Sequence, residues 1–232
     1  MTDSLTGTGL GRELPADRYH TGVRVATLVL WLAAIVALYL AGQGLWNLLL
    51  GPVAGLAEGL VLAGAAVIAA QPLMMWAEKQ LIARWRSGRA VQLGSGGLVM
   101  REKDREARLD LGQKVNYWRW RFEIRRQRGG RVPNGHFCFA LRLVQADMRQ
   151  AVSLYAFFSP AQAQALLARQ SFYDLRPATD KSRAALGGRD ATYLAAERER
   201  WTSGAELDPA DFDVLLTHLA RHIPDFSSSP SS

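Results

Sequence analysis

The 232-residue chain has one cysteine, Cys138, so no internal disulfide can brace it, and its soluble part suits a reducing compartment such as the cytoplasm. Histidine is nearly as scarce. The four present, His20, His136, His218 and His222, are accompanied by no nucleophile elbow, no paired-acid motif and no phosphate loop. The GTGLG run at Gly7–Gly11 follows no strand and precedes no Gly-Lys-Ser/Thr, so it is not a nucleotide loop. His136 and Cys138 stand i, i+2 and share a strand face, but no third group orients them, and the cysteine reads as core filler. His218 and His222 have helical i, i+4 spacing without a third ligand. No enzyme, metal or cofactor is predicted.

Charge is missing from a longer stretch. Between Val25 and Ala77 the only charged side chain is Glu58, and the apolar run is broken once, at Gly51-Pro52. A bilayer core of about 30 Å takes about 20 helical residues, so each half is long enough to span. The expectation is a transmembrane hairpin, helix one from about Thr21 to Leu50 and helix two from about Val53 to Ala77, which excludes a freely soluble enzyme. Residues 1–20 lack the apolar region and cleavage site of a secretory signal and read as a flexible cytoplasmic N-terminus.

The formal charge of +7 is unevenly spread: residues 1–24 sum to 0, 25–77 to −1, 78–131 to +9 and 132–232 to −1. Arg12, Arg18 and Arg24 precede the hairpin, Lys79, Arg84, Arg86 and Arg89 follow it, and its turn has no Lys or Arg. The positive-inside rule then puts both termini in the cytoplasm. Arginine outnumbers lysine 24 to 4 and alanine is abundant, a bias of GC-rich bacterial genomes, so the predicted location is a bacterial inner membrane.

Small residues recur every four positions, as Ala33, Ala37 and Ala41 on helix one and Gly51, Gly55, Gly59 and Ala63 on helix two. Such rows let helices approach closely in lipid, either packing the hairpin on itself or offering a face to another subunit, including a second copy. Glu58 lies at a depth between those of Gln43 and Asn47, which share a helix face and suit a structural polar clamp around its carboxyl. The competing role is a proton or ion path, which two helices alone cannot enclose. From Trp76 to Arg86, Leu81, Ile82 and Trp85 share one side while Lys79, Arg84 and Arg86 reach outward, as befits a headgroup layer.

After Gly88 the apolar period changes from helical to alternating. Short strands are expected at Arg89–Leu93, Leu98–Arg101 and Ala107–Leu111, then a half-buried strand at Val115–Arg126. There Trp118, Trp120, Phe122 and Ile124 take one face, and Tyr117, Arg119, Arg121, Glu123 and Arg125 the other. Phe137–Leu143 and Val152–Phe158 alternate again, and Ser-Pro-Ala-Gln from Ser159 supplies a helix cap, a proline at the first helical position and a glutamine at the third. From Ala90-Val91-Gln92-Leu93, the Gly94–Gly97 turn, Trp118-Arg119-Trp120 and the helix at Ser159, residues 85–172 resemble the bacterial membrane-anchored pleckstrin-homology-like (PH-like) proteins. The resemblance is one of layout. It implies a small antiparallel β-barrel or sandwich closed by a helix, and a mostly non-catalytic module of a membrane assembly. The family's usual seventh strand is not evident.

Lys114, Arg119, Arg121, Arg125, Arg126, Arg128 and Arg131 accompany a single acid, Glu123. With the neighbouring Arg84 and Arg86 they suit anionic lipid headgroups, at about 1 kcal/mol each, or an acidic protein partner. Nucleic acid is disfavoured, because the aromatics that would stack on bases fall on the opposite face from most of the arginines. Residues 174–226 read as a helical extension. Asp190–Trp201 is a helix with ERER on its exposed side, and Asp208–Ile223 carries the stripe Phe212, Leu215, Leu216, Leu219 and Ile223, which either docks on the β-domain or binds a partner. Residues 227–232 read as a disordered tail.

The expected organisation is therefore a flexible N-terminus (1–20), a membrane hairpin with its basic helix end (21–87), a cytoplasmic PH-like β-domain (88–173), the extension and the tail. Its expected role is a binding or scaffold module, or an accessory subunit of an inner-membrane complex. The alternatives are a transport or proton-handling subunit using Glu58, and a membrane-tethered nucleic-acid binder.

Overall fold

The computed structural model describes residues 11–18, 20–51, 55–85, 87–103, 105–125, 132–147, 149–175 and 189–226. These form two compact units, residues 18–87 and a second unit made from the chain before and after them.

In residues 18–87, helices α1 (Thr21–Leu50) and α2 (Leu56–Arg84) pack against each other. Both are long and apolar enough to cross a membrane, and only 6% and 11% of their most apolar windows is buried. A core helix of a soluble protein would have its apolar stripe covered. Ring contact joins the outer ends of the pair. His20 caps α1 by accepting the Val23 N–H at Nδ1 (3.3 Å), and its ring meets Trp85 edge-on at 5.4 Å.

The two small-residue rows do not meet. Ala33, Ala37 and Ala41 are exposed, as is Gly55, whereas Gly59 and Ala63 lie with buried Ala66 and Ala70 on the covered face of α2. On α1, Val23 and Thr27 are buried, and the alanine row of α1 faces outward.

The second unit begins before the helices. Arg12–Pro15, expected as part of a flexible lead-in, forms strand β1 and pairs antiparallel with β2 (Arg89–Leu93), Leu14 opposite Val91 and Pro15 opposite Ala90. With β3 (Gly97–Glu102) and β4 (Arg105–Asp110) they make a four-stranded sheet in the order β1-β2-β3-β4. The second sheet contains β5 (Val115–Glu123), β6 (Phe137–Gln145) and β7 (Ala151–Phe158), flanked by two-residue strands β8 (Tyr173–Asp174) and β9 (Ala205–Glu206), in the order β8-β5-β6-β7-β9. The sheets share one core but are not closed into a barrel.

Helix α3 (Pro160–Leu167) starts with the expected box, since the Ser159 N–H donates to Gln162 Oε1 at 3.0 Å and the Gln162 N–H to Ser159 Oγ at 3.5 Å. Its Ala163 and Leu166 enter the shared core, together with Phe212, Leu215, Leu216 and Leu219 of α5 (Pro209–His222). Helix α4 (Arg189–Ser203) covers the other face of the second sheet, placing Tyr193 and Ala196 against Trp120 and Ala140. Residues 189–226 therefore pack on the β-domain.

Where the chain leaves this unit for the apolar helices and returns from them, Asp17 and Arg89 are bonded. Arg89 Nη1 donates to Asp17 Oδ2 at 2.6 Å and Nη2 donates to the Ser203 carbonyl at 3.1 Å, while Asp17 Oδ1 accepts the Glu206 N–H at 2.9 Å.

Candidate functional site

Strand β5 alternates as its sequence implies, but both of its faces are covered. Trp118, Trp120 and Phe122 pack toward α4, while Val115 and Tyr117 belong to the shared core. Arg119, expected to face lipid or a partner, is 1% exposed. Its guanidinium carbon lies 4.7 Å from the Phe226 ring centre, 5.6 Å from Tyr117 and 5.7 Å from Phe172, and Nη1 donates to Gln170 Oε1 at 3.4 Å. Desolvation lowers its pKa, partly offset by the two nearby tyrosines, Tyr117 and Tyr193. A guanidinium nevertheless stays charged, so the surrounding rings act as its cation–π cage.

Of the other predicted cations, two of those described are ion-paired. Arg121 pairs with Asp174 at 3.5 Å and lies over Phe137, and Arg125 pairs with Glu123 at 2.5 Å. Lys114 is exposed, and Arg84 is exposed in the last turn of α2. Arg86, Arg126, Arg128 and Arg131 lie outside the described residues. Asp174 and Phe226 arrive from distant sequence and cover Arg121 and Arg119.

On the other face of the sheet lies a polar group that sequence reading missed. Glu197 accepts from the Trp120 indole at 2.7 Å and from Arg200 twice, Nε at 2.9 Å and Nη2 at 2.6 Å. Arg200 is 5% exposed and lies 4.5 Å over Tyr155. Desolvation pulls its pKa down, but the hydrogen bonds and charge of Glu197 outweigh it and the net direction is up. Beside it Arg142 pairs with Glu199 at 2.5 Å. Three side chains of the ERER run, expected on an exposed face, thus hold α4 to the sheet. The signal available was Arg142 on a strand whose other even-numbered residues are apolar.

Burial pushes the Cys138 thiol up to about 12, against the opposing pull of Arg200. Burial likewise raises Tyr155 to about 12, assisted by the charges of Glu206 and Asp17. Neither is an available nucleophile or base near neutral pH.

An open groove of about 600 Å³ lies between α5 and the β2–β3 turn, lined by Arg12, Ser95, Asp213, Thr217, His218 and Arg221 among others. Arg221 and most of the Arg12 side chain are exposed, Arg12 lies 3.9 Å from Asp211, and Asp213 is held by Arg169 at 3.0 Å. Burial lowers the His218 pKa, as do His222 and Arg221, so the two arginines supply the positive charge of the groove. Both ring nitrogens of His222 lie within hydrogen-bond distance of backbone carbonyls, those of His218 (2.9 Å) and Ser95 (3.1 Å). Among the described residues no three His, Cys, Asp or Glu side chains gather as a metal site.

Comparison with protein-family models, curated proteins and solved structures finds no match for this chain. What it does must be read from its own chemistry.

Glu58, expected within a clamp of Gln43 and Asn47, is bonded at the start of its own helix. The Glu58 carboxylate accepts the Gly55 N–H at 3.1 Å, where the helix dipole favours negative charge. This is half a capping box, because glycine has no side chain to answer with. Gln43 is half-buried on α1 and Asn47 exposed. Glu58 thereby has a structural role that needs no transported ion.

Proposed function

We propose that the protein is a non-catalytic, membrane-anchored binding module. In this reading α1 and α2 cross a bacterial inner membrane, both termini lie in the cytoplasm, and the β-domain recruits an acidic protein partner as a scaffold or accessory subunit. The observation that carries it is the pairing of β1 with β2, sealed by Asp17 and Arg89. A strand from before the apolar pair and a strand from after it build one sheet, so the folded domain holds both chain crossings and every load on it is transmitted to both helices.

The arrangement of the domain supports the PH-like part of the reading. Two sheets share a core, a helix follows the last long strand, and β1 supplies a strand that residues 85–172 lack. Recognition is assigned to the groove beside α5, where Arg221 is exposed and Arg12, though 3.9 Å from Asp211, keeps most of its side chain exposed. Arg12 and Arg221 there attract carboxylates, and rim charges of this kind act mainly on association rate and salt dependence.

The test is purification of the full chain in gentle detergent with identification of whatever co-purifies. A stoichiometric partner that is lost at high salt and in Arg12→Glu/Arg221→Glu is expected. A partner-free chain, or a partner indifferent to both substitutions, contradicts the assignment.

A further inference from the structure

Between α1 and α2 lies a groove of about 390 Å³, lined by Arg24, Thr27, Leu28 and Trp31 of α1 and Gln71, Met74 and Glu78 of α2. Positions 24, 27/28 and 31 share one helix face, as do 71, 74 and 78. By a rise of about 1.5 Å per residue, Arg24 lies about 5 Å from the start of α1 and Glu78 about 9 Å from the end of α2, whereas Trp31 and Gln71 lie about 15–20 Å in. The charged end is thus at the polar boundary of a bilayer and the other end within its hydrocarbon.

Four features of the groove are unexplained by the fold. Arg24 and Glu78 carry opposite charges on facing helices, yet among the described residues neither has an ion pair. Thr27 is 6% exposed, with its hydroxyl buried and without a hydrogen-bond partner. The Trp31 indole N–H is also buried and without a partner. Both atoms are covered by neighbouring protein atoms, so an acceptor in the groove reaches them only when the lining side chains shift.

The unsatisfied groups differ in kind between the two helices. On α1 the guanidinium and indole are donors only, and the threonine hydroxyl can donate, a set matched by phosphate and ester oxygens. On α2 the Glu78 carboxylate is an acceptor, matched by an ammonium that has N–H groups to give. We propose that this groove seats one zwitterionic phospholipid with a primary ammonium, of the phosphoethanolamine class. Its phosphate meets Arg24, its ammonium meets Glu78, and its glycerol ester region meets Thr27 and Trp31. A phosphocholine headgroup has the phosphate but no N–H for Glu78, and a phosphoglycerol headgroup has no cation at all. The site rests on the reading that α1 and α2 span the bilayer.

The test uses the full chain. Alkaline carbonate extraction of membranes comes first. A chain that stays in the pellet keeps the spanning reading, and one released to the supernatant overturns that reading and the lipid site with it. The purified protein is then loaded with phosphoethanolamine, phosphocholine or phosphoglycerol lipids of identical acyl chains, and retained lipid is counted by native mass spectrometry. The wild type is expected to keep the phosphoethanolamine lipid about tenfold better than the phosphocholine one, equal to about 1.4 kcal/mol. Glu78→Gln removes that preference, and Arg24→Gln weakens retention of both lipids with the thermal melt unchanged. Equal retention of all three lipids overturns the proposal. So does a preference that survives Glu78→Gln, or preferential retention of the phosphoglycerol lipid, which would mean that Arg24 acts alone.

Discussion

Arg200 and Arg119 show how one residue type meets burial in two ways. Arg200 is answered by a carboxylate in a two-pronged contact, and Arg119 by three rings and an amide. Removing one partner of a buried ion pair leaves an uncompensated charge, at about 3–5 kcal/mol, while replacing both with apolar residues is often near neutral. Glu197→Ala is therefore expected to lower the unfolding free energy by about that amount in chemical denaturation. Glu197→Met with Arg200→Leu should cost less than the single change, its residual penalty being the stranded Trp120 indole. A larger penalty for the double variant would show that the pair is not the tie that holds α4. The same site fixes a pH dependence. Cys138 and Tyr155 have folded pKa values of about 12, above their ordinary values of 9.0 and 10.0. Their protonated forms thus stabilise the fold fully below pH 9, and that stability is lost as pH rises toward 12. Denaturation midpoints should fall across this window, and more gently in Cys138→Ala.

At the scale of elements, β1 is the smallest piece with the widest consequence. Its Leu14 is fully buried against a sheet whose next strand begins beyond the apolar helices. Leu14→Ala is expected to cost about 2–5 kcal/mol, read as a lowered denaturation midpoint of the β-domain, although the residue stands on a four-residue edge strand. An unchanged midpoint would mean that β1 is only draped over the sheet. The same element marks where sequence reading stopped. Strands β2 to β7 were legible because alternation is local, and α3 because its cap and box are written in four consecutive residues. Strands β1, β8 and β9 carry no period of their own and exist through pairing with residues far along the chain. Periodicity also put Arg119 and Trp120 on opposite faces correctly, but it does not say what covers a face. Phe226, Asp174 and α4 do so here, which is why Arg119 is caged and Arg121 is paired. The small-residue rows left two readings open for a related reason: four-residue spacing is shared by a contact face and an outward face, and only the partner helix distinguishes them.

At the scale of the whole molecule, two long apolar helices stand in the sequence between two adjacent strands of one sheet. The domain is closed only when the segment before the helices returns to the strand after them. The most direct measurement is a cross-link between Glu13→Cys and Gln92→Cys, which face each other in the β1–β2 register. Opposed antiparallel residues have Cα atoms about 4.5–5.5 Å apart, within disulfide range, and the fully buried Cys138 does not compete. In carbonate-washed membranes the double-cysteine chain is predicted to form an intramolecular disulfide, lost when Leu14→Asp is added. Failure to cross-link, or cross-linking only between chains, would contradict the account.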